Sequence, residues 1–249
     1  MKKKKLIEIE KRERKYFEIV RNIFSTPKNI AFVKKSMKSI NTHLKSVKGK
    51  KKNQVEDSLE QIVRTILFMH AMKQKTKWKP AFFPVGSDVT FELSDCFLFC
   101  DAKTIADDDA DAKKWRIQVQ ANESTYSTKT PYIVKRGDNK KKKIRWEGPN
   151  ISKTIEKKHV ITLFISFHYK EVKKKYKIKE AVIYCIPNGM LSEEYGNLIE
   201  NYKGITWKPN KTSRNRRGIG TNARFPSERF KKAKLEKGWK RAKKLPDYN

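Results

Sequence analysis

The chain has little of what disulfide frameworks and zinc sites require. It contains three cysteines and four histidines in 249 residues. Three cysteines are too few, and too oddly counted, for a disulfide framework, so we expect a reducing compartment. Cys96 and Cys100 are four residues apart, but no second Cys or His pair lies near them at ligand spacing. A zinc site is therefore not expected.

Long apolar runs and nucleotide-binding loops are also missing. No run approaches the roughly 18 apolar residues that a membrane-spanning helix needs, and the lysine-rich N-terminus does not lead into a signal-peptide core. Gly218 and Gly220 lack the further glycine of a dinucleotide site, and no Gly-Lys-Ser or Gly-Lys-Thr loop exists. We expect a soluble, cytoplasmic protein with no membrane partner and no ATP.

Lysine and arginine are present in large excess. The 60 basic and 27 acidic side chains give a formal net charge of +33. Such self-repulsion indicates a polyanionic partner, and nucleic acid is the commonest polyanion in a cell. The chain is 37% hydrophobic and 11% aromatic, which is enough to form a core, so we expect a folded protein. A membrane-surface helix would need a broad apolar face, which the lysine-dense C-terminus lacks.

The positive charge is not spread evenly. Residues 1–54, 128–207 and 208–249 have net charges of +14, +10 and +12, whereas residues 55–127 carry 9 basic and 12 acidic side chains. Carboxylates gathered inside a polyanion-binding protein would repel its ligand unless a metal cation lay between them. The acidic block is therefore where we expect the chemistry.

Apolar periodicity predicts helices that precede and flank a mixed sheet, which is an α/β (α+β) fold. The predicted helices cover 6–24, 30–47, 55 to just before Pro80, a segment with Trp115, Val119, Asn122 and Tyr126 on one face, and a basic stretch over 226–245. The predicted strands cover 88–93, 96–104, 160–168 and 178–186. No internal repeat is apparent.

Three polar residues lie where two of these strands begin and end. Asp101 and Lys103 are two residues apart, so both side chains leave the same face of their strand. Asp88 begins the preceding strand, and hairpin pairing would bring it toward Asp101. Two convergent carboxylates favour a hard divalent cation such as Mg²⁺. A lysine beside that cation can orient an attacking water, as phosphodiester hydrolysis requires.

The segments Gly86-Ser87-Asp88 and Asp101-Ala102-Lys103 resemble the PD-(D/E)xK nuclease superfamily. Within it, the chain looks most like a type II restriction endonuclease. Ser87 stands where the family usually has proline, which is a departure from the pattern. Members often add a glutamate on the preceding helix, after an apolar residue, and Glu60 fits that position with Glu56 as the alternative. The resemblance covers about residues 55–126.

The resemblance implies a central mixed β-sheet flanked by helices, and roles for each matching residue. Asp88, Asp101 and Glu60 would hold Mg²⁺, or Mn²⁺ in its place, and Lys103 would position the nucleophile. The resemblance also implies a homodimer acting on double-stranded DNA in a restriction-modification system of prokaryotic or viral origin. The expected organisation is one compact domain with a basic helical region over 1–54, a nuclease core over 55–207 and a DNA-contacting region over 208–249.

Several polar and basic residues are candidates for DNA contact. They are Lys141 and Lys142 in a predicted hairpin tip over 140–143, Gln118 on the predicted helix, and Arg214, Asn215, Arg216, Arg217, Asn222 and Arg224 in a predicted loop. Arginine pairs with guanine and asparagine with adenine in the major groove. Phosphate contact by the same side chains is the alternative to base reading.

Two other functions would also explain this composition. A structure-specific nuclease such as a junction resolvase uses the same chemistry. A non-catalytic RNA- or DNA-binding protein explains the charge equally well, and in that case Asp88, Asp101 and Lys103 should lie apart.

Overall fold

The computed structural model describes residues 2–47, 49, 51–83, 87–109, 116–120, 123–126, 132–135, 141–144, 151–195, 222–226 and 239–248. Three long helices come first: α1 (Lys2–Phe24), α2 (Pro27–Ser46) and α3 (Lys51–Gln74). Thr26 caps α2, because its side-chain oxygen accepts a hydrogen bond from the Asn29 amide, and Pro27 occupies the first helical turn. The three predicted N-terminal helices are confirmed.

A mixed sheet follows the helices. Its strands are β1 (Lys79–Pro80), β2 (Val89–Glu92), β3 (Cys96–Ala106), β7 (Thr154–Ile155), β8 (Lys158–Val172), β9 (Lys175–Ile186) and β11 (Ala242–Lys244). The order is β1-β2-β3-β8-β9-β11, and β7 pairs with β8. Only β3 and β8 run parallel; the other pairs are antiparallel. This mixed sheet with flanking helices confirms the predicted fold class.

The alternation of side chains along β3 decides which residues face the helices. Even-numbered residues such as Leu98 and Cys100 belong to the main core, together with apolar side chains of α1, α2 and α3. Phe97 and Phe99 point the other way and pack in a second apolar cluster. Since strand side chains alternate, Asp101 continues the Phe97 and Phe99 row, and Lys103 follows it. Asp101 and Lys103 therefore lie on the face of β3 opposite the main core.

The main core joins distant parts of the chain. It contains Phe17 of α1, Val33 of α2 and Leu67 of α3, together with strand residues. Near the C-terminus, Trp239 and Tyr248 are buried in the same cluster. Helix α1 and the C-terminal segment thus pack in the same core as the sheet that carries Asp101 and Lys103. Among the described helices, none is long and apolar enough to cross a membrane.

One sequence prediction of helix is wrong, and a second is wrong at its two described ends. Residues 116–120, expected on a helix, form strand β4 (Arg116–Gln120), which pairs with β10 (Asn222–Pro226). Ile117 and Val119 are buried on alternate positions, which is the period of a strand. The partner strand lies about a hundred residues later, so no local signal indicates it. In the predicted C-terminal helix, Pro226 ends β10 and Ala242–Lys244 forms β11, while residues 227–238 lie outside the described part.

A second two-stranded unit corrects the predicted hairpin tip. Strand β5 (Tyr132–Lys135) pairs with β6 (Lys141–Ile144). Lys141 and Lys142 lie within β6 rather than at the tip, because the connecting residues 136–140 precede them. The four-residue helix α4 (Ser192–Tyr195) follows β9.

Candidate active site

The β2–β3 hairpin brings Asp88 beside Asp101. Val89 pairs with Cys100 in this antiparallel ladder, so Asp88 lies next to Asp101 at the same end of the hairpin. The Asp88 Oδ2 atom accepts a hydrogen bond of 2.7 Å from the Ala102 amide. This contact ties the Asp88 carboxylate to the backbone of β3, between the two residues of the Asp-x-Lys motif.

Lys103 lies between two carboxylates. Its Nζ atom is 2.5 Å from Asp101 Oδ2 and 2.8 Å from Glu123 Oε1. The side chains of Asp101 and Glu123 are 4% and 3% exposed, whereas that of Lys103 is 20% exposed. The ammonium group also lies 5.7 Å from the centroid of the Phe164 ring on β8. The lysine is therefore held on three sides and remains partly open to solvent.

Burial and neighbouring charge shift the titration of this pair. Burial raises the pKa of Asp101 well above its usual value, and the charges of Glu123 and Asp88 add to this shift while Lys103 opposes it. Burial by itself lowers the pKa of Lys103, but the charges of Asp101 and Glu123 outweigh it, so the pKa of Lys103 is raised. Lys103 is consequently a cation at neutral pH, suited to contact an anionic phosphate.

Glu60 and Arg64 approach the site from α3. They lie one helical turn apart, and Arg64 Nη2 is 2.6 Å from Asp88 Oδ1 and 4.0 Å from Glu60 Oε2. Burial and then the charge of Asp88 raise the pKa of Glu60. The hydrogen bond to Asp88 is the main cause of the raised pKa of Arg64. Arg64 thus neutralises the carboxylates on the α3 side of the site.

The alternative helix carboxylate, Glu56, lies in a different contact. Its Oε1 atom accepts a hydrogen bond of 2.9 Å from the Tyr169 hydroxyl. Of the two glutamates that the sequence left open, Glu60 is the one that lies beside Arg64, the residue that contacts Asp88. The geometry therefore favours Glu60 for a role at the site.

The donor set fits the hard divalent metal that the sequence resemblance implies. Asp88 and Asp101 offer carboxylate oxygens, and Asp101 Oδ2 is buried with the Lys103 ammonium group 2.5 Å away. Within the described residues no three His, Cys, Asp or Glu side chains are grouped as a metal cluster. Mg²⁺ commonly binds through one or two carboxylates and completes its shell with water and substrate phosphate. Two carboxylates in this position meet that requirement.

The predicted DNA-contacting residues divide into two groups. Gln118 is half-buried on β4, and its Cα partner on β10 is Arg224, while Asn222 pairs with Gln120. The strand pairing thus brings together residues that are about a hundred positions apart in sequence. Arg214, Asn215, Arg216 and Arg217 lie outside the described residues.

Sequence reasoning missed Glu123 and Arg64. Glu123 lies in the short segment after β4, twenty residues from Lys103, and no spacing rule connects the two. Its segment is anchored where Gly189 N donates a 2.9 Å hydrogen bond to Thr125 Oγ1. A Cβ atom at Gly189 would lie 2.1 Å from the Thr125 carbonyl oxygen, so the close approach needs glycine. The sequence places Arg64 one helical turn after Glu60, but nothing in it indicates the contact with Asp88.

A separate cleft of about 690 Å³ lies at the other end of the β2–β3 hairpin. Its lining includes Lys15, Trp78, Lys79, Glu92 and Lys158. Because Glu92 ends β2 and Asp88 precedes that strand, this cleft is separated from the carboxylate site by the length of β2. The catalytic candidates therefore do not line it.

The chain and its fold resemble known restriction enzymes. Residues 5–175 match the family described as Type II restriction enzyme MwoI, N-terminal domain. The structure is similar to that of the tetrameric restriction endonuclease SfiI bound to cognate DNA, with 17% identity, 96% of this chain and 85% of that chain covered, and a TM-score of 0.61.

It is also similar to the restriction endonuclease BglI bound to its DNA recognition sequence, with 13% identity, 100% and 99% coverage, and a TM-score of 0.53. At these identities the structural likeness establishes the fold. No curated protein sequence matches the chain. The family match spans more than half of the chain, so the chain belongs to this family of type II restriction enzymes and is a sequence-specific endodeoxyribonuclease.

Proposed function

We propose that this enzyme hydrolyses double-stranded DNA at the site formed by Asp88, Asp101 and Lys103, with Mg²⁺ as its metal. The observation that carries the proposal is the convergence of these side chains at one end of the β2–β3 hairpin. Asp88 is bonded to the Ala102 amide, and Lys103 contacts Asp101. A non-catalytic nucleic-acid binder would have no need of this arrangement.

Each residue has a role that follows from its chemistry. Asp88 and Asp101, with Glu60 nearby, would hold the divalent ion through carboxylate oxygens. When bound, Mg²⁺ would lower the pKa of a water molecule and neutralise charge on the phosphate. Lys103 stays cationic and would donate hydrogen bonds to the attacking water or to a phosphate oxygen, holding it for in-line attack.

DNA contact is proposed for the basic and polar segments outside this site. The β4–β10 pair places Gln118 opposite Arg224 and Gln120 opposite Asn222 in register. Gln, Asn and Arg are the residues that read adenine and guanine edges. We include Arg214, Asn215, Arg216, Arg217, Lys141 and Lys142 as further contacts. The surrounding basic charge predicts that DNA affinity falls steeply with salt.

Two copies of the chain would be needed to cut both strands of a palindromic site. A two-fold homodimer is the simplest assembly that presents two equivalent sites. The related SfiI is described as tetrameric and bound to cognate DNA, and BglI as bound to its recognition sequence. We propose a DNA-bound homo-oligomer whose basic unit is such a dimer.

The first experiment is digestion of a fully sequenced genome by the full-length chain in Mg²⁺, followed by sequencing of the fragment ends. Discrete fragments with one shared end sequence are expected. Cutting confined to branched DNA would instead identify a junction nuclease. Asp101→Asn and Lys103→Ala are expected to reduce cleavage by at least about 10²-fold, because each removes a group that acts on the reacting phosphate.

Glu92→Gln is a matched control for these variants. Glu92 also forms an acid–lysine pair in the same sheet, 2.7 Å from Lys158, but at the opposite end of β2. This variant should cut at the parent rate. If folded Asp101→Asn or Lys103→Ala also cuts at the parent rate, the proposed site is wrong.

A further inference from the structure

We propose that Glu123 is a positioning residue that holds the Lys103 ammonium group ready for catalysis. The inference rests on the function proposed above for Lys103. Glu123 Oε1 lies 2.8 Å from Lys103 Nζ, and the glutamate side chain is 3% exposed. The contact is therefore a partly buried, charge-assisted hydrogen bond from the proposed catalytic lysine to a buried glutamate.

Lys103 shares its Asp101 partner with the proposed metal. Its Nζ atom lies 2.5 Å from Asp101 Oδ2, on the carboxylate that we assign to the metal. An ammonium group held only by Asp101 would lose its position when that carboxylate turned toward a cation. Glu123 supplies a second carboxylate on the lysine, 2.8 Å from its Nζ atom. It therefore lets Asp101 turn toward a cation while Lys103 stays in place.

Lysine needs such a restraint more than most cations do. Its four-carbon stem is flexible and its charge is a compact point with rotatable donors. Two contacts from different elements, Asp101 on β3 and Glu123 after β4, fix the direction of the Nζ atom. The adjacent Phe164 ring limits the remaining freedom. A misplacement of about 1 Å at a reacting group can reduce a rate by about 10²-fold.

Glu123 is itself anchored to the core. Thr125 is buried and accepts the hydrogen bond from Gly189 N. The neighbouring Asn188 amide donates a 2.6 Å hydrogen bond to Glu13 Oε1, and the Asn188 side chain donates to the carbonyls of Lys153 and Val160. These contacts connect the Glu123 segment to α1 and β8. The restraint on Lys103 thus comes from the folded core.

The test compares Glu123→Ala, Glu123→Asp and Glu123→Gln in the full-length chain. Three quantities are measured: the single-turnover cleavage rate at saturating DNA and Mg²⁺, the DNA affinity without divalent metal, and the Mg²⁺ concentration at half-maximal rate. Glu123→Ala should lower the cleavage rate by about 10²-fold. Glu123→Asp should lower it by about 10-fold, because the shorter side chain draws the carboxylate away from Lys103.

Glu123→Gln separates positioning from a purely structural or charge effect. The amide keeps an oxygen that can accept a hydrogen bond from Lys103, so most of the cleavage rate should return. DNA affinity without metal and the Mg²⁺ midpoint should stay within about twofold of the parent in all three variants, since the lysine acts on the reacting group. Glu92→Gln again serves as the matched control for loss of an acid–lysine pair.

Coupling to Lys103 is tested in the double variant. Adding Glu123→Ala to Lys103→Ala should cause no further loss, because the glutamate acts only through the lysine. An unchanged cleavage rate in Glu123→Ala and Glu123→Asp would overturn the inference. So would a large rise in the Mg²⁺ midpoint, which would make Glu123 a metal ligand instead. Parent-level cutting by Lys103→Ala would refute the proposed site itself, which is a distinguishable result.

Discussion

Two charged clusters in this enzyme contain the same number of acidic and basic side chains but have different surroundings. In each, two carboxylates lie around one basic side chain: Glu10 and Glu13 around Arg241, and Asp101 and Glu123 around Lys103. In each, two members lie close together in sequence and the third comes from another segment of the chain. The difference between them is whether the cluster is closed by apolar and aromatic groups.

The Arg241 cluster is closed completely. The side chains of Arg241, Glu10 and Glu13 are 0% exposed. Arg241 Nη2 lies 2.6 Å from Glu13 Oε2, and the guanidinium group lies 4.1 Å from the centroid of the Trp239 ring. The Tyr195 hydroxyl accepts a hydrogen bond of 3.1 Å from the same Nη2 atom. No face of this cluster is left for a ligand, so its role is to attach the C-terminal segment to α1.

The Lys103 cluster is open on one side. Lys103 is 20% exposed, and the carboxylates of Asp88 and Glu60 lie beyond it, 12% and 35% exposed. Polar residues with solvent access and unmet hydrogen-bonding capacity are costly for stability but necessary for binding a metal and a phosphate. Equal numbers of acidic and basic side chains therefore do not define function. What differs is whether solvent and a ligand can reach the charged groups.

The largest expected effect is on the closed cluster. Arg241→Met should destabilise the fold by about 3–5 kcal/mol, because it leaves two buried carboxylates without their cation. Chemical denaturation followed by far-UV circular dichroism measures this change. Lys103→Met is the matched substitution in the open cluster and should cost less, since Lys103 itself is 20% exposed and solvent can enter the space that its ammonium group leaves. Equal losses in both variants would remove the distinction between closed and open clusters.

A smaller effect is expected from Arg64, which contacts Asp88 within the open site. Arg64→Met should tighten Mg²⁺ binding several-fold, because the guanidinium group otherwise competes for Asp88 Oδ1. Isothermal titration calorimetry of the DNA-free protein with Mg²⁺ measures the Mg²⁺ affinity. Arg21→Met is a suitable control, because Arg21 forms a comparable ion pair with Glu18 away from the site. Weaker Mg²⁺ binding in Arg64→Met would instead mean that Arg64 orients Asp88.

The smallest effect is expected from an ion pair that belongs to neither cluster. Glu92→Gln removes the charge that faces Lys158 at the turn end of β2, and it should leave the melting temperature and the cleavage rate almost unchanged, because exposed ion pairs contribute little. Thermal unfolding and the plasmid cleavage assay measure both. A marked loss of cleavage would show that the cleft at this end takes part in DNA cutting.

Strand alternation predicted that Asp101 and Lys103 share one face of a strand. Glu60 was predicted from the family resemblance, because it follows an apolar residue on the preceding helix. The predicted helix over residues 115–126 failed because the strand at 116–120 depends on pairing with 222–226. Short polar and apolar runs carry little information about such distant partners.

Charge, composition and strand alternation are local properties of the chain, so they were enough to indicate a polyanionic partner and to find the Asp-x-Lys motif. Which charges meet depends on the folded structure. It brought Arg64 to Asp88 and Glu123 to Lys103, and it enclosed Glu10, Glu13 and Arg241. Those contacts arise from packing between elements distant in sequence. Burial, which gives each contact its electrostatic strength, exists only once the chain has folded.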